Sequence, residues 1–249
     1  MNIVVAMKQI PDLQQIRIRQ RQPVLDGVPA ALGMIDKNAL EAAVLLKEKE
    51  GGQVIVLSAG NEEVEETVKE ALAAGADQAF LVIDDSIENA DGSVKAPILA
   101  EAVKRIEDVG LLLFGEGSGD NYSGQLGSRV AELLGWPQVG FASKIEIQGS
   151  QAIITRSLED GDEILEVNLP AVVTVLGDIN EPRIPSVTQI LKAGRKPKEV
   201  LELEELELDL PALPQIKTLS NLAPETNRKQ IKVGSVEELI QALKSEGVI

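Results

Sequence analysis

Short runs of consecutive apolar residues punctuate the first half of the chain, and amphipathic stretches separate them. Residues 3–7, 53–58, 79–83 and 111–114 carry almost no polar alternation, the mark of strands covered on both faces. Between them, 36–50 places Leu40, Ala43 and Val44 on one helical face, with Asp36 as the expected cap. Residues 62–74 predict a second helix ending at Gly75, and 96–107 a third. A fourth, 123–134, is stopped by Gly135 and Pro137. Strands without alternation, spaced by helices, predict an α/β fold with a parallel sheet. Ligands of such folds settle beyond the carboxyl ends of the strands. Residues 6–9, 58–60 and 115–120 are therefore expected around one crevice.

After Trp136 the pattern changes. Residues 144–148, 152–156 and 164–169 read as antiparallel strands, with turns at 148–150 and 159–162. Residues 171–176 return to a continuous apolar strand. Residues 201–210 alternate Leu with acids until Glu204-Glu205 slips the alternation by one, as a bulge or a break does. Residues 217–231 lack a clear period, and 235–245 reads as a terminal helix with Ser235 and Glu238 as a capping box. The division that follows is an α/β domain over 1–196 and an arm over 197–249, too poor in apolar residues for a core of its own.

Composition narrows the chemistry. Hydrophobic residues make up 44% of the 249 but aromatics only 2%, so the core must rest on Val, Ile, Leu and Ala. The net charge of −16 leaves no basic footprint for nucleic acid and disfavours an anionic membrane surface. The chain has neither Cys nor His. Thiol and Ser-His nucleophiles, thiol redox pairs, iron–sulfur clusters and ordinary zinc sites are thereby excluded. No catalytic or metal-ligating set is expected. The N-terminal apolar run is too short for a signal-peptide core, and no stretch approaches the roughly 20 apolar residues of a membrane span. These features predict a soluble cytoplasmic protein.

The densest chemical signal is Gly115-Glu116-Gly117-Ser118-Gly119-Asp120-Asn121-Tyr122-Ser123-Gly124-Gln125-Leu126-Gly127, which follows a buried strand and opens a helix. Glycines let a ligand approach the backbone, and free amides at a helix start hold phosphate without a basic side chain. The run is neither a Walker A loop nor a true Gly-x-Gly-x-x-Gly fingerprint. On spacing alone it reads either as a nucleotide loop or as a strand-to-helix turn. Glu159, Asp160, Asp162 and Glu163 flank a Gly, so a solvated hairpin turn explains them better than a metal site or an acid/base pair. Trp136, beside Pro137, reads as a packing residue.

Residues 154–174 (Ile-Thr-Arg-Ser-Leu-Glu-Asp-Gly-Asp-Glu-Ile-Leu-Glu-Val-Asn-Leu-Pro-Ala-Val-Val-Thr) resemble the signature segment of electron-transfer flavoprotein β subunits. Arg156, Glu159-Asp160-Gly161, Glu163, Leu165, Pro170 and Val172-Val173-Thr174 carry the likeness. Val5-Ala6-Met7-Lys8-Gln9-Ile10-Pro11-Asp12, Gly135-Trp136-Pro137-Gln138, Phe141-Ala142-Ser143, Asn180-Glu181-Pro182-Arg183 and Ile190-Leu191-Lys192-Ala193 extend it along the chain.

The resemblance implies a Rossmann-like, adenine-nucleotide-binding fold, with the arm and terminal helix packing on an α subunit that holds most of a FAD. It implies AMP or a second FAD in the β site. Nucleotide contacts then fall at Ala6, at Gly33, Met34, Ile35 and Asp36, and at Ala59. The remaining contacts run through Asp120, Asn121, Tyr122, Ser123, Gly124, Gln125, Leu126, Gly127, Ser128, Arg129, Val130 and Ala131. Residues 183–192 resemble the segment by which the family docks on dehydrogenases or quinone-reducing partners, with Val187, Ile190 and Lys192 as docking residues. Leu13 and Ser157 stand where some members carry an aromatic and a Glu near the partner's flavin. Two arrangements are open: electron shuttling through one FAD, or NADH-dependent electron bifurcation through two. Either makes the chain an electron carrier within a complex rather than a stand-alone enzyme. A stand-alone adenine-nucleotide-binding protein of the universal-stress type shares the early β-α-β pattern, but needs neither the antiparallel insert nor the arm.

Overall fold

The structure is a computed structural model that describes residues 1–88, 90–210, 216, 218–225 and 230–249. The first half contains β1 (Asn2–Ala6), β2 (Gln9–Pro11), β3 (Arg17–Arg19), β4 (Gln22–Val24), β5 (Ala30–Leu32), α1 (Met34–Glu50), β6 (Gln53–Gly60), α2 (Val64–Ala73), β7 (Gln78–Ile83), α3 (Gly92–Lys104), β8 (Val109–Gly115) and α4 (Leu126–Leu134). The second contains β9 (Gln138–Gln148), β10 (Gln151–Leu158), β11 (Gly161–Asn168), β12 (Ala171–Val175), α5 (Val187–Ala193), β13 (Lys198–Glu202) and α6 (Val236–Ser245). Among the described residues nine strands form one sheet, in the order β11-β10-β9-β12-β8-β1-β6-β7-β13. Pairing is parallel from β9 to β13 and antiparallel through β10 and β11. The α/β class and the antiparallel insert read from the sequence are both present.

The apolar runs are continuous because both sheet faces are covered. In β1, Ile3 and Val5 enter one core cluster while Val4 and Ala6 enter the other. Residues of α1 and α2, with Ala193 of α5, fill the first cluster; α3 and α4 fill the second. Almost everything in both is aliphatic, with Phe80 and Phe114 the buried aromatics and Trp136 packed at the second cluster's margin.

Several boundaries differ from those the sequence predicts, for local reasons. Helix α1 starts two residues early with Gly33 at its cap, so Asp36 lies inside the first turn and caps nothing. Asp91 starts α3 by accepting the Ser93 amide at 2.7 Å, which moves the start back from 96. Helix α4 begins only at Leu126, leaving Ser123 and Gly124 in the loop. Strand β9 begins at Gln138 and pairs with both β12 and β10, which merges the insert with the main sheet. After β13 a 3-10 turn over Leu203–Leu206 accounts for the slipped alternation at Glu204-Glu205 and buries Leu206 in the second cluster.

Two compact units emerge. The first is Met1–Ile16 with Leu25–Leu219, so it runs past the boundary expected at 197, because β13 pairs in parallel with β7. The second is Arg17–Val24 with Ser220–Ile249. Part of the arm expected over 197–249 lies outside the described residues. Within the second unit, β3 and β4 form a hairpin, Ala223 donates its amide to the Arg21 carbonyl at 2.7 Å, and Arg21 pairs with Glu225. Ser235 caps α6, accepting the Glu238 amide at 3.2 Å. The Glu238 carboxylate accepts from Gly234 rather than from Ser235, so the expected capping box closes one residue upstream.

Candidate functional site

Strand order reverses between β1 and β8: β6 and β7 lie to one side, β12 to the other. Loops leaving β1 and β8 diverge there, and a crevice at the carboxyl ends results. A cleft of about 390 Å³ occupies it. Ala6, Phe114 and Gly115 form its floor, and Ala59 joins from β6. One wall is the start of α3, with Asp91, Gly92, Ser93 and Lys95; the other is the glycine-rich loop and the start of α4.

Asp36 braces the floor. Its carboxylate accepts the Lys8 amide at 2.8 Å and the Gly115 amide, tying together the chain after β1 and after β8. Burial pushes its pKa up to about 7, although both amides and the Lys8 charge pull the other way. The glycines beside it are required sterically. A Cβ on Gly115 would sit 2.7 Å from Asp36 Oδ1 and 3.1 Å from the backbone carbonyl carbon of Ile35.

The cleft gathers cations and acids in a strongly acidic chain: Lys8, Lys95 and Arg129 line it together with Asp36, Asp91 and Glu116. Lys8 pairs with Asp120 at 2.5 Å across its edge. Arg129 donates to Gln125 Oε1 at 3.0 and 3.3 Å. Lys95 donates to the Glu88 carbonyl at 3.2 Å, and burial, then the neighbouring Lys8 charge, lower its pKa to about 8. No His, Cys or activated nucleophile faces this space. Its amide, lysine and arginine donors suit an anionic ligand.

The structure brings together only part of the predicted set. Ala6, Asp36, Ala59, Asn121, Ser123, Gly124, Gln125, Leu126, Gly127 and Arg129 line the cleft. Asp120 reaches it through Lys8. Gly33, Met34 and Ile35 lie outside its lining: Gly33 is the cap of α1, Met34 is exposed, and Ile35 packs toward Gly115 and Gly177. Val130 and Ala131 face the second core cluster. Tyr122 and Ser128 border an adjoining depression of about 300 Å³, which shares Glu116, Ser123, Gly124 and Thr174 with the cleft and adds Gln138, Phe141 and Arg156. There Arg156 pairs with Glu163 at 2.6 Å, and the Tyr122 hydroxyl meets Glu116, which raises the phenol's pKa.

The turn expected at 159–162 is the exposed pair Glu159-Asp160 alone, because Gly161 and Asp162 already pair in β11 with Leu158 and Ser157. Among the described residues no group of three or more His, Cys, Asp or Glu could hold a metal ion. Among the described residues no helix is long and apolar enough to cross a membrane.

Val187, Ile190 and Lys192 are exposed along α5, far along the chain from the cleft residues, and Ile184 and Leu191 are exposed beside them. The segment leading there is tied to α1. Arg183 grips Glu41 at 2.7 and 2.9 Å and Glu48 at 2.7 Å, while Asn38 and Asn180 exchange hydrogen bonds at 2.8 and 3.0 Å. Sequence reasoning missed the α3 wall. Its one legible signal was Asp91-Gly92-Ser93, a capping residue ahead of an apolar run.

Comparison with known proteins places these features. The electron transfer flavoprotein domain matches residues 24–206. The chain is 38% identical to an electron transfer flavoprotein subunit beta from Thermoanaerobacterium thermosaccharolyticum, over 98% of this chain and 96% of the relative. It is 36% identical to the subunit of that name from Bacillus subtilis, with both chains fully covered. It is also 36% identical to the caffeyl-CoA reductase-Etf complex subunit CarD from Acetobacterium woodii, over 84% of this chain and 80% of that one. A universal-stress-type protein finds no support in these likenesses.

Proposed function

The chain belongs to the electron transfer flavoprotein family, in which it is a β-type subunit serving electron transfer, and from this premise we propose that its cleft binds the adenine nucleotide of AMP or of a second FAD. The observation that carries the reading is the cleft itself. It lies at the switch point, its floor is braced by Asp36, and a glycine-rich loop and three cations face it. The residues present suit such a group. Amides at the start of α4 and the side chains of Lys8, Lys95 and Arg129 favour phosphate. Ala6, Ala59 and Phe114 offer apolar surface for a base.

A bound flavin supplies the redox chemistry. The chain supplies position: Asp36 fixes the two loops, and Lys8 is held by Asp120 until an anion competes for it. An α subunit completes the flavoprotein in this reading. The apolar face of α5, held in place by the grip of Arg183 on α1, docks a dehydrogenase or quinone-reducing partner in the cytoplasm. The likeness to CarD, a subunit of a reductase–Etf complex, favours a place inside a larger redox assembly and supports the second-FAD, bifurcating arrangement beside the single-FAD one.

Co-purification with the α subunit, followed by denaturation and counting of released nucleotides, tests the proposal. One FAD with one AMP per heterodimer is the shuttle arrangement, and two FAD the bifurcating one. One FAD and no further adenine nucleotide would overturn nucleotide binding by this cleft.

A further inference from the structure

We infer that Lys196 is a positioning residue for partner docking: its ammonium, seated on the carbonyl end of α2, fixes the C-terminal end of α5 and so presents that helix's apolar face in one orientation. The inference rests on reading α5 as the docking element, and it goes on to say what holds that element.

Helix α5 cannot hold itself. It has seven residues, too few for a helix to be stable alone in water, and only Ala193 of them is buried. Val187, Ile190 and Leu191 face solvent. Its place is therefore set from its two ends. Arg183 ties the segment before it to Glu41 and Glu48 of α1.

The segment after it carries Lys192, Arg195, Lys196 and Lys198, and these cations divide. Lys192 and Arg195 are exposed. Lys198 pairs with Glu65 of α2. Lys196 reaches the other end of that helix: its Nζ donates to the Leu72 carbonyl at 2.8 Å and to the Ala76 carbonyl at 2.5 Å. Leu72 lies in the last turn of α2 and Ala76 just beyond its end. A helix leaves such carbonyls open, and its dipole favours a cation there. Burial, opposed by the charge of Asp77, lowers the pKa of this lysine.

Strand β13 does not depend on the contact. It pairs with β7 from Lys198 to Glu202, and the Pro197 carbonyl accepts the Ala79 amide at 3.0 Å. The turn at 194–196 closes on local bonds, from the Arg195 amide to Lys192 and from the Lys196 amide to Ala193. The Lys196 side chain joins that turn to α2. Removing it frees α5 while the sheet stays paired.

Steady-state electron transfer decides the matter, using a flavin dehydrogenase that reduces the wild-type α/β heterodimer. Lys196→Met is expected to raise the KM for the heterodimer by about tenfold, because the partner must then select the fraction of molecules with α5 in place. Its kcat should stay unchanged, and hydrogen exchange across 187–193 should quicken. Lys196→Arg, which keeps donors for both carbonyls, should restore KM and protection together. Lys196→Gln, which keeps a shorter donor, should fall between and serves if Lys196→Met does not fold. A lowered unfolding midpoint with unchanged KM would make the lysine merely structural and overturn the inference. A raised KM without faster exchange in α5 would overturn it too. Ile190→Glu separates the two readings: if it leaves KM unchanged, docking by α5 falls first and Lys196 with it.

Discussion

Asp36 and Gly127 show how single side chains set the site. Asp36 has a folded-state pKa near 7 against an ordinary 3.8, so the folded state holds the proton more tightly than the unfolded chain. Stability from this group is therefore full below about pH 4 and is lost as pH rises toward 7. Asp36→Asn removes the titration. Relative to wild type, the variant is expected to gain about 2–3 kcal/mol between pH 5 and pH 8 in urea unfolding. A constant difference at the two pH values would contradict a buried, proton-binding Asp36. Gly127 lets α4 approach β12: a Cβ there would lie 2.5 Å from Thr174 Cγ2 and 3.5 Å from the ring of Phe114. Gly127→Ala should cost about 1–3 kcal/mol, and Thr174→Ser, which deletes the methyl, should recover part of it. Both residues were legible as types but not as roles. An Asp near a helix start reads as a cap from local sequence, and only the amide of Lys8, 28 residues away, shows that it is a brace.

At the scale of elements, α1 serves two places at once. Its first turn sends Asp36 to the cleft, while Asn38, Glu41 and Glu48 hold the segment 180–183 that leads into α5. Glu41 is a buried carboxylate whose charge Arg183 compensates. Removing that partner alone leaves the charge stranded, which costs about 3–5 kcal/mol, whereas replacing both by apolar groups is often neutral. Arg183→Met is therefore expected to destabilise the chain by roughly 3 kcal/mol and to speed hydrogen exchange across 184–193. Arg183→Met with Glu41→Leu should recover most of the stability without restoring the protection. Equal recovery of both would show that Arg183 only balances charge and does not hold α5. The strands were readable because a doubly covered strand is a continuous apolar run. The start of α3 was not. The expected boundary lay at 96, but the helix runs through Pro97 from a cap at Asp91.

Across the whole molecule, the apolar surface is uneven in a way that composition hides. Every residue of α6 is at least partly exposed, and Val236, Leu239 and Ile240, three and four apart, put one apolar stripe on its surface. A ten-residue helix is marginal by itself in water, so such a stripe is stable when another surface covers it. The sequence showed this helix and its Ser235 cap but not its lack of cover, because periodicity reports a face and not what meets it. The antiparallel insert was likewise visible as strands, while its fusion to the parallel sheet depends on β9 pairing on both edges. For the α subunit as the covering surface, the expectation is specific. The free chain should exchange the amides of α6 rapidly, and the heterodimer should protect them by at least about tenfold, since each factor of ten needs only 1.4 kcal/mol of added local stability. Leu239→Glu with Ile240→Glu should leave the free chain's unfolding midpoint within about 0.5 kcal/mol, as exposed positions do, yet weaken pairing measured by titration with the α subunit. Undiminished pairing would remove α6 from the interface and leave its apolar stripe to some other surface.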